Sequence, residues 1–311
     1  MNKFSFLFPG QGSQSVGMMA GFGDSIVIRN TFTEASDILG LDFWSMATEA
    51  NESINETINT QPIMLIAGVA TWRAWQALLD VQPSVVAGHS LGEYTALVAA
   101  GAISFADALP LVRYRAEVMQ NAVPPGVGAM AAILGLDDDV VREVCTEAAQ
   151  GQILEAVNLN SPGQVVVAGD KAAVLRGMEL AKAKGAKRAL PLPVSVPSHC
   201  ALMKPAAEKL AEYLKDVTIS KPKIPVIQNA DVMFYSESNK IKEALVRQLY
   251  SPVRWVETVQ SIYSQGVSQA AECGPGKVLA GLTKRIIADL PCLALTNDEA
   301  LHEFKSQLQV S

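Results

Sequence analysis

The chain has 311 residues, of which 49% are hydrophobic and 18% are charged, a composition typical of a globular protein with a sizeable core. Its net charge of −6 argues against a general attraction to nucleic acid or an anionic membrane, and no apolar run approaches the ~20 residues of a membrane span. We expect a soluble, cytoplasmic, monomeric protein whose 4 cysteines are buried, reduced thiols without metal-binding spacing.

The first predicted strand, residues 4–8, runs into a glycine-rich loop. The spacing of Gly10, Gly12 and Gly17 is not the Gly-x-Gly-x-x-Gly of a dinucleotide site, and no Gly-Lys-Ser/Thr follows. Hydrolases with a nucleophile elbow take a second oxyanion amide from such an early loop. We therefore predict that this loop lies beside a reacting serine farther along the chain.

Residues 85–94, Val-Val-Ala-Gly-His-Ser-Leu-Gly-Glu-Tyr, carry the pattern Gly-x-Ser-x-Gly between a predicted strand and a predicted helix. This pattern is typical of a nucleophile elbow, in which a sharp turn between Gly88 and Gly92 presents the central Ser90. The amide of Leu91 and the amino end of the next helix are then placed to stabilise an oxyanion. An ordinary strand-to-helix turn is the alternative, because so short a pattern also arises by chance.

Helical periodicity is found on both sides of the elbow. A long helix is predicted over 61–79, in which Trp72 and Trp75 are interpreted as core residues. A second helix follows the elbow helix and contains Pro110, which should kink or shorten it. Arg115 lies at the edge of the apolar stripe of this helix, while Arg113 points farther away from it.

The pattern changes at residue 128, where strands and helices follow in the order βαββαβ up to residue 192. That order is typical of a split-βαβ, ferredoxin-like unit. Proline and glycine at 124–126 and further prolines near 195 bound the unit, so we predict an inserted subdomain over 126–195. The core then comprises 1–125 and 196–311, where strands alternating with helices indicate a parallel sheet covered on both faces. One of these strands is predicted over 224–228.

A serine hydroxyl becomes a strong nucleophile only when a base takes its proton, and the chain has 3 histidines. His89 adjoins the candidate serine and is predicted to pack behind the turn, while His302 lies on a charged, solvated terminal helix. His199 lies in a loop before a helix, from which a side chain can reach a cleft. We therefore favour His199 as the base, and interpret its neighbour Cys200 as a buried small residue rather than a rival nucleophile.

Motifs spread along nearly the whole chain resemble those of the malonyl-CoA:acyl-carrier-protein transacylases of bacterial fatty-acid synthesis. The motifs are Phe-Pro-Gly-Gln-Gly-Ser-Gln at 8–14, Gly-His-Ser-Leu-Gly-Glu-Tyr at 88–94, Gly-Ala-Met at 128–130, Asn-Ser-Pro-Gly-Gln at 160–164, Pro-Ser-His at 197–199 and Gly-Pro-Gly at 274–276. Several motifs of this length in one order do not arise readily by chance, so the resemblance is specific.

The resemblance implies an α/β fold with an α/β-hydrolase-like parallel-sheet core and an inserted ferredoxin-like subdomain. It also implies that Ser90 takes the acyl group and that His199 is its base. By the same resemblance, Arg115 holds the malonyl carboxylate, for which a planar guanidinium can donate two charge-assisted hydrogen bonds.

Further expectations follow from the same resemblance. The amides of Gln11 and Leu91 form the oxyanion hole, and a backbone carbonyl near Gln248 replaces the acidic partner of the histidine. The reaction implied is ping-pong transfer of a malonyl group from malonyl-CoA, through a malonyl-serine, to the pantetheine thiol of acyl carrier protein. No metal and no cofactor of the enzyme itself is expected.

Carrier protein is strongly acidic in this family, which implies a basic docking face. The densest basic cluster comprises Lys182, Lys184, Lys187 and Arg188, although a solvated helix end is the simpler interpretation. Two other functions stay open, namely a serine esterase or thioesterase that passes the acyl group to water and a non-catalytic module that binds carrier protein. A wider acyl range and a role in polyketide synthesis also stay open.

Overall fold

The computed structural model describes residues 3–194 and 196–309. The predicted subdomain boundary at residue 195 and the two chain termini lie outside the described residues. No helix among the described residues is both long and apolar enough to span a membrane.

The described residues form strands, α-helices and three short 3₁₀ helices at Ala20–Phe22, Ser53–Asn55 and Ala201–Met203. The strands are β1 Lys3–Phe8, β2 Val85–Gly88, β3 Gly128–Leu134, β4 Leu154–Ser161, β5 Gln164–Asp170, β6 Arg188–Pro191, β7 Val226–Ile227, β8 Val267–Glu272 and β9 Cys292–Ala294. The helices are α1 Ile26–Leu39, α2 Phe43–Thr48, α3 Thr57–Leu78, α4 Gly92–Ala99, α5 Phe105–Gln120, α6 Asp138–Ala149, α7 Lys171–Ala183, α8 Lys204–Lys215, α9 Ser238–Gln248, α10 Trp255–Ser264, α11 Val278–Ile286 and α12 Asp298–Gln309.

The larger sheet has the strand order β7-β2-β1-β8-β9, and all its neighbouring strands are parallel. The register pairs Phe8 at the end of β1 with Gly88 at the end of β2. The loops that follow these two strands therefore leave the sheet side by side. The sheet thereby brings the glycine-rich loop to the elbow. Both lie at the carboxyl edge, where ligands bind in open parallel sheets.

Apolar layers cover both faces of the larger sheet, because successive side chains of a strand point to opposite faces. On one face the ring of Phe6 lies 5.7 Å from Trp72 and 5.3 Å from Trp75. On the other face Leu7 packs in a cluster that includes Leu279. The predicted parallel sheet with helices on both faces, and the core placement of both tryptophans, are confirmed.

The smaller sheet is antiparallel, with the strand order β4-β5-β3-β6. Helices α6 and α7 pack on it and bury an apolar cluster of its own, which includes Ile133, Val144 and Val174. Two hydrogen bonds attach β4 to the core, from Leu159 N–H to the carbonyl of Val253 at 3.0 Å and from Val253 N–H to the carbonyl of Val157 at 2.8 Å. The sequence of elements and the pairing are those of the expected ferredoxin-like unit.

Three local predictions differ from the structure. Helix α5 continues through Pro110, so the expected shortening is wrong; the proline costs one backbone hydrogen bond early in a helix whose apolar face is buried. The strand predicted over 224–228 is limited to Val226–Ile227, since Gln228 N–H turns to bond the carbonyl of Met233. Cys292 is half-buried rather than buried because β9 is an edge strand.

Candidate active site

The elbow between β2 and α4 has the backbone geometry of a sharp turn. Ser90 lies in the left-handed region with a φ of +54°, where a residue with a side chain is strained. A Cβ on Gly88 would lie 1.9 Å from the carbonyl carbon of Gly92, and one on Gly92 would lie 2.0 Å from the carbonyl oxygen of Phe8. Only glycine fits at these two positions, which explains the Gly-x-Ser-x-Gly pattern.

The main chain of Ser90 is held by two side chains from distant parts of the chain. Its N–H donates to Asn229 Oδ1 at 2.7 Å, and its carbonyl accepts from Gln248 Nε2 at 3.0 Å. Asn229 Nδ2 also donates to the carbonyl of Gly88 at 2.6 Å. These hydrogen bonds offset the backbone strain and orient the serine hydroxyl.

His199 faces Ser90, with Nε2 2.8 Å from the serine Oγ. Its Nδ1 lies 2.7 Å from the carbonyl oxygen of Gln248. Because a carbonyl can only accept, Nδ1 carries the proton and Nε2 is free to accept the proton of Ser90. Gln248, which the motif resemblance placed near the histidine, therefore contacts it through its main chain.

Burial controls the protonation of both His199 and its neighbour. Burial, together with the nearby Arg115 guanidinium, lowers the pKa of His199 to about 3, so the imidazole is neutral at neutral pH. Burial raises the pKa of the Cys200 thiol to about 12, and its Sγ donates to the carbonyl of Pro197 at 3.2 Å. The predicted burial of Cys200 is confirmed, and a thiol with a raised pKa is a poor nucleophile at neutral pH.

Arg115 is 1% exposed, and its guanidinium points at the nucleophile from α5. Nη2 lies 3.3 Å from Ser90 Oγ and 2.8 Å from Gln248 Oε1, while Nη1 donates to Gln61 Oε1 at 2.6 Å. All three acceptors are uncharged, so a buried cation faces the nucleophile without a carboxylate among its hydrogen-bond partners in the described chain. A bound carboxylate would supply the missing negative charge.

Gln11 and Leu91, the predicted oxyanion donors, line the same cavity as Ser90. A Cβ on Gly10 would lie 2.4 Å from the carbonyl oxygen of His89 and 3.7 Å from the nitrogen of Leu91, so the loop after β1 lies directly against the elbow. The Leu91 N–H, at the amino end of α4, has no acceptor among the described residues. A free amide at a helix amino terminus is a suitable donor for an oxyanion.

The cavity over the nucleophile has a volume of about 120 Å³ and lies between the core and the inserted subdomain. Its lining residues are Gln11, Thr57, Gln61, His89, Ser90, Leu91, Arg115, Met119, Met130, Asn158, Leu192, Val194, Val196, Ser198 and His199. A larger cleft of about 670 Å³ lies elsewhere, beside α3, and contains none of the predicted site residues. The site therefore has room for a short acyl group at the point where the predicted residues meet.

His89 lies closer to the chemistry than its predicted place behind the turn. Its ring lies 5.3 Å from that of Trp255, yet the residue also lines the cavity with Ser90. His89 Nε2 lies 2.8 Å from Asn160 Oδ1, on strand β4 of the inserted subdomain. This histidine therefore joins the two sheets beside the nucleophile. His302 is exposed, as predicted.

Sequence reasoning missed Gln61, Glu93 and Asn229, which bond Arg115, Gln248 and Ser90 respectively. Glu93 had a signal, because a carboxylate directly after the elbow interrupts an apolar helix. Asn229 follows β7 at the carboxyl edge of the sheet, where ligand-binding residues collect. No group of three or more His, Cys, Asp or Glu positioned for a metal ion is found in the described ranges.

The sequence model of the acyl transferase domain matches residues 5–288. The chain is 54% identical over 303 residues to a malonyl CoA-acyl carrier protein transacylase of Salmonella typhimurium, covering 97% of this chain and 98% of that one. It superposes with a TM-score of 0.96 on the acyl-carrier-protein S-malonyltransferase of Burkholderia pseudomallei, at 59% identity and with 98% and 99% of the two chains covered. A malonyl-transacylase solved in complex with its type II PKS acyl-carrier protein gives a TM-score of 0.97 at 52% identity, with 98% and 99% covered.

Proposed function

The chain belongs to the family of malonyl CoA-acyl carrier protein transacylases, and we propose that it transfers a malonyl group from malonyl-CoA to the pantetheine thiol of an acyl carrier protein. The transfer supplies extender units for fatty-acid synthesis. The single observation that carries this proposal is the convergence of two groups, a base and a cation, on the oxygen of Ser90. Ser90 Oγ lies 2.8 Å from the His199 imidazole and 3.3 Å from the Arg115 guanidinium.

In the first half-reaction His199 Nε2 takes the proton of Ser90 as Oγ attacks the thioester carbonyl of malonyl-CoA. The carbonyl oxygen becomes negative and is stabilised by the amides of Gln11 and Leu91, each such donor being worth about 3 kcal/mol. The intermediate collapses with cleavage of the carbon–sulfur bond, and the leaving thiolate takes the proton from His199. Malonyl-Ser90 and free coenzyme A remain.

The second half-reaction reverses these steps with a different thiol. The pantetheine thiol of carrier protein gives its proton to His199 and attacks the malonyl-serine carbonyl. Cleavage of the ester bond returns the proton to Ser90 Oγ and releases malonyl carrier protein. His199, whose Nδ1 stays bonded to the carbonyl of Gln248, acts as base and acid in turn, so the chemistry uses no metal or other cofactor.

Arg115 gives the reaction its preference for malonyl. A guanidinium binds the free carboxylate of malonyl through charge-assisted hydrogen bonds, which an acetyl group cannot accept. The neutral partners of Arg115, Gln61 and Gln248, support this role because they hold the guanidinium in place without neutralising it. We also assign the enzyme to the cytoplasm as a monomer, and its free thiols are compatible with a reducing compartment.

Two residues of the proposed basic cluster are already paired with carboxylates of this chain, which leaves the other two as candidates for contact with carrier protein. Lys182 and Lys184 are paired with carboxylates of α7 and α6 at 2.9 and 3.0 Å. Lys187 and Arg188 are exposed and have no ion pair among the described residues. We therefore assign contact with the acidic carrier protein to Lys187 and Arg188.

Intact-protein mass after brief mixing with malonyl-CoA tests the proposal. We expect a malonyl adduct on the native chain that persists until carrier protein is added, a weaker acetyl adduct from acetyl-CoA, and neither adduct on Ser90→Ala. Free malonate accumulating without an adduct would indicate a hydrolase. Binding of carrier protein with neither adduct nor malonate release would indicate a non-catalytic module.

A further inference from the structure

One carboxyl oxygen accepts hydrogen bonds from both residues that hold the main chain of Ser90. Glu93 is fully buried on α4, and its Oε2 accepts from the N–H of Asn229 at 2.7 Å and from Gln248 Nε2 at 3.1 Å. Asn229 is the residue that accepts from the N–H of Ser90, and Gln248 is the residue that donates to its carbonyl. The two residues come from different elements, and Glu93 is their common acceptor.

Gln248 extends the influence of this oxygen to two more groups of the site. Its main-chain carbonyl accepts from His199 Nδ1 at 2.7 Å, and its side-chain oxygen accepts from Arg115 Nη2 at 2.8 Å. The orientation of Gln248 therefore affects the base and the guanidinium as well as the nucleophile. Displacing reacting groups by about 1 Å can cost about a hundredfold in rate.

We propose that Glu93 is a positioning residue of the acyl-transfer site. By accepting hydrogen bonds from Asn229 and Gln248 through one oxygen, it keeps Ser90 and His199 in the orientation that proton transfer between them requires. It does not touch the substrate. The inference rests on the proposed roles of Ser90 and His199. The role of Glu93 depends on the position of its acceptor oxygen and not on the charge of its carboxyl group.

Two observations support a geometric rather than an ionic role. The other oxygen, Oε1, is buried and has no hydrogen-bond partner among the described residues, and no guanidinium or ammonium bonds either oxygen. Burial raises the pKa of Glu93 to about 8, so the neutral acid is present at pH 7. An amide has the same shape as a neutral acid and keeps one acceptor oxygen.

Two substitutions of Glu93 distinguish the effect of the position of its acceptor oxygen from the effect of its charge. Glu93→Gln keeps the acceptor in place without the ionisable group, while Glu93→Asp keeps the ionisable group and withdraws the oxygen by one methylene. The readout is the rate at which a small fluorophosphonate labels Ser90 at pH 7, followed by intact mass. This probe needs a correctly placed serine and histidine but neither Arg115 nor coenzyme A, so it reports on positioning even if the acyl substrate were a different one.

We expect the labelling rate of Glu93→Gln to stay within about threefold of wild type and that of Glu93→Asp to fall by about thirtyfold or more. Equal losses in the two variants, or no loss in either, would overturn the proposal. Failure of the proposed function would instead appear in the wild type, as absence of malonyl-Ser90.

Thr95→Val is the matched control on the same helix, because Thr95 is buried and its hydroxyl has no partner among the described residues. It should leave the labelling rate unchanged. Glu93→Met, which removes the acceptor at similar volume, should lose about a hundredfold if it folds. If it does not fold, the glutamine and aspartate variants, with circular dichroism and melting curves to confirm their folding, still decide the outcome.

Discussion

The Arg115 guanidinium donates to the Oγ of Ser90 across 3.3 Å. The group proposed to bind the carboxylate of the substrate thus contacts the nucleophile directly. A malonyl carboxylate would replace Oγ as the acceptor, which frees a lone pair of the serine oxygen for attack. An acetyl group would leave the bond in place. If Arg115 binds the carboxylate as proposed, this contact links recognition of the acyl group to the reactivity of the serine.

Replacing Arg115 with alanine should separate the two acyl groups. We expect malonyl transfer to fall by about tenfold to a hundredfold, the value of a charged hydrogen bond of about 1.5 to 3 kcal/mol, while acetyl transfer is kept or improved. The measurement is kcat/KM for malonyl-CoA and acetyl-CoA. Arg113→Ala is the control on the same helix, since Arg113 is half-buried and, among the described residues, bonds only the carbonyl of Leu39, at 3.5 Å. Equal losses on both substrates would contradict the role.

Acylation of Ser90 should not show the titration of an ordinary histidine. Because burial and Arg115 lower the pKa of His199 to about 3, its imidazole is able to accept a proton at pH 5 as well as at pH 8. We expect the single-turnover rate with malonyl-CoA to vary by less than about threefold across this range. A fall of tenfold per pH unit below 6.5 would contradict it. Arg115→Ala removes one cause of the shift, so its acidic inflection should move to higher pH.

The stability of the protein should depend on the ionisation of Glu93. The unfolded chain loses this proton near pH 4.5, while the folded protein keeps it to about pH 8, so folding stability falls as pH rises through this window. The slope for one such group is about 1.4 kcal/mol per pH unit. Glu93→Gln does not titrate, so its unfolding free energy relative to wild type should rise from pH 4.5 to 8.

Urea unfolding at several pH values provides this measurement. Glu272→Gln is the matched comparison, because burial raises the pKa of Glu272 to about 7. The pH range over which its ionisation lowers the folding stability should therefore end about one pH unit below that of Glu93. If the difference in unfolding free energy between variant and wild type does not change with pH, the prediction for that residue is wrong.

The glycines of the elbow should not tolerate a methyl group. Gly92→Ala places a Cβ 2.0 Å from the carbonyl oxygen of Phe8, so we expect a loss of about 2 kcal/mol or more and loss of Ser90 labelling. Gly281→Ala is the control, since its Cβ meets nothing within 4 Å on α11 and should stabilise the protein by about 0.4 to 1 kcal/mol. Thermal melts measure both changes. Equal melting temperatures of the two variants would contradict the packing argument.

Charge reversal should test the docking face. We expect Lys187→Glu with Arg188→Glu to raise the KM for carrier protein severalfold and to leave the KM for malonyl-CoA unchanged, with an effect that shrinks at high salt. Lys209→Glu with Lys215→Glu, an equal change of charge on exposed residues of α8, is the control. An unchanged KM for carrier protein, or the same rise in both pairs, would remove Lys187 and Arg188 from the docking face.

Much of the fold could be predicted because its signals are local. Strands alternating with helices predicted the parallel sheet, and the change of pattern at residue 128 predicted the second, smaller sheet. Where local reasoning failed, tertiary contacts were the cause. Pro110 is tolerated because the buried face of α5 holds the helix together, and β7 is short because Gln228 bonds a turn instead of a neighbouring strand.

The candidate site divides in the same way. The sequence by itself determined the elbow, because two glycines around Ser90 are required by backbone contacts within a few ångströms. It also singled out His199 as the base among 3 histidines, whereas only the motif resemblance assigned a role to Arg115. Only the tertiary structure decided how they meet, since the histidine and the serine are 109 positions apart and lie 2.8 Å from each other.

The hydrogen bonds that join Glu93, Asn229 and Gln248 to the main chain of Ser90 and to one another are decided by the tertiary structure alone. A side chain that hydrogen-bonds a partner more than a hundred residues away leaves no periodicity and no spacing in the sequence. Burial adds effects of the same kind, because the pKa values of His199 and Glu93 depend on the removal of water and on neighbours brought by other elements. The local pattern thus determines which residues are able to react, and the packing of distant segments determines their orientation and protonation.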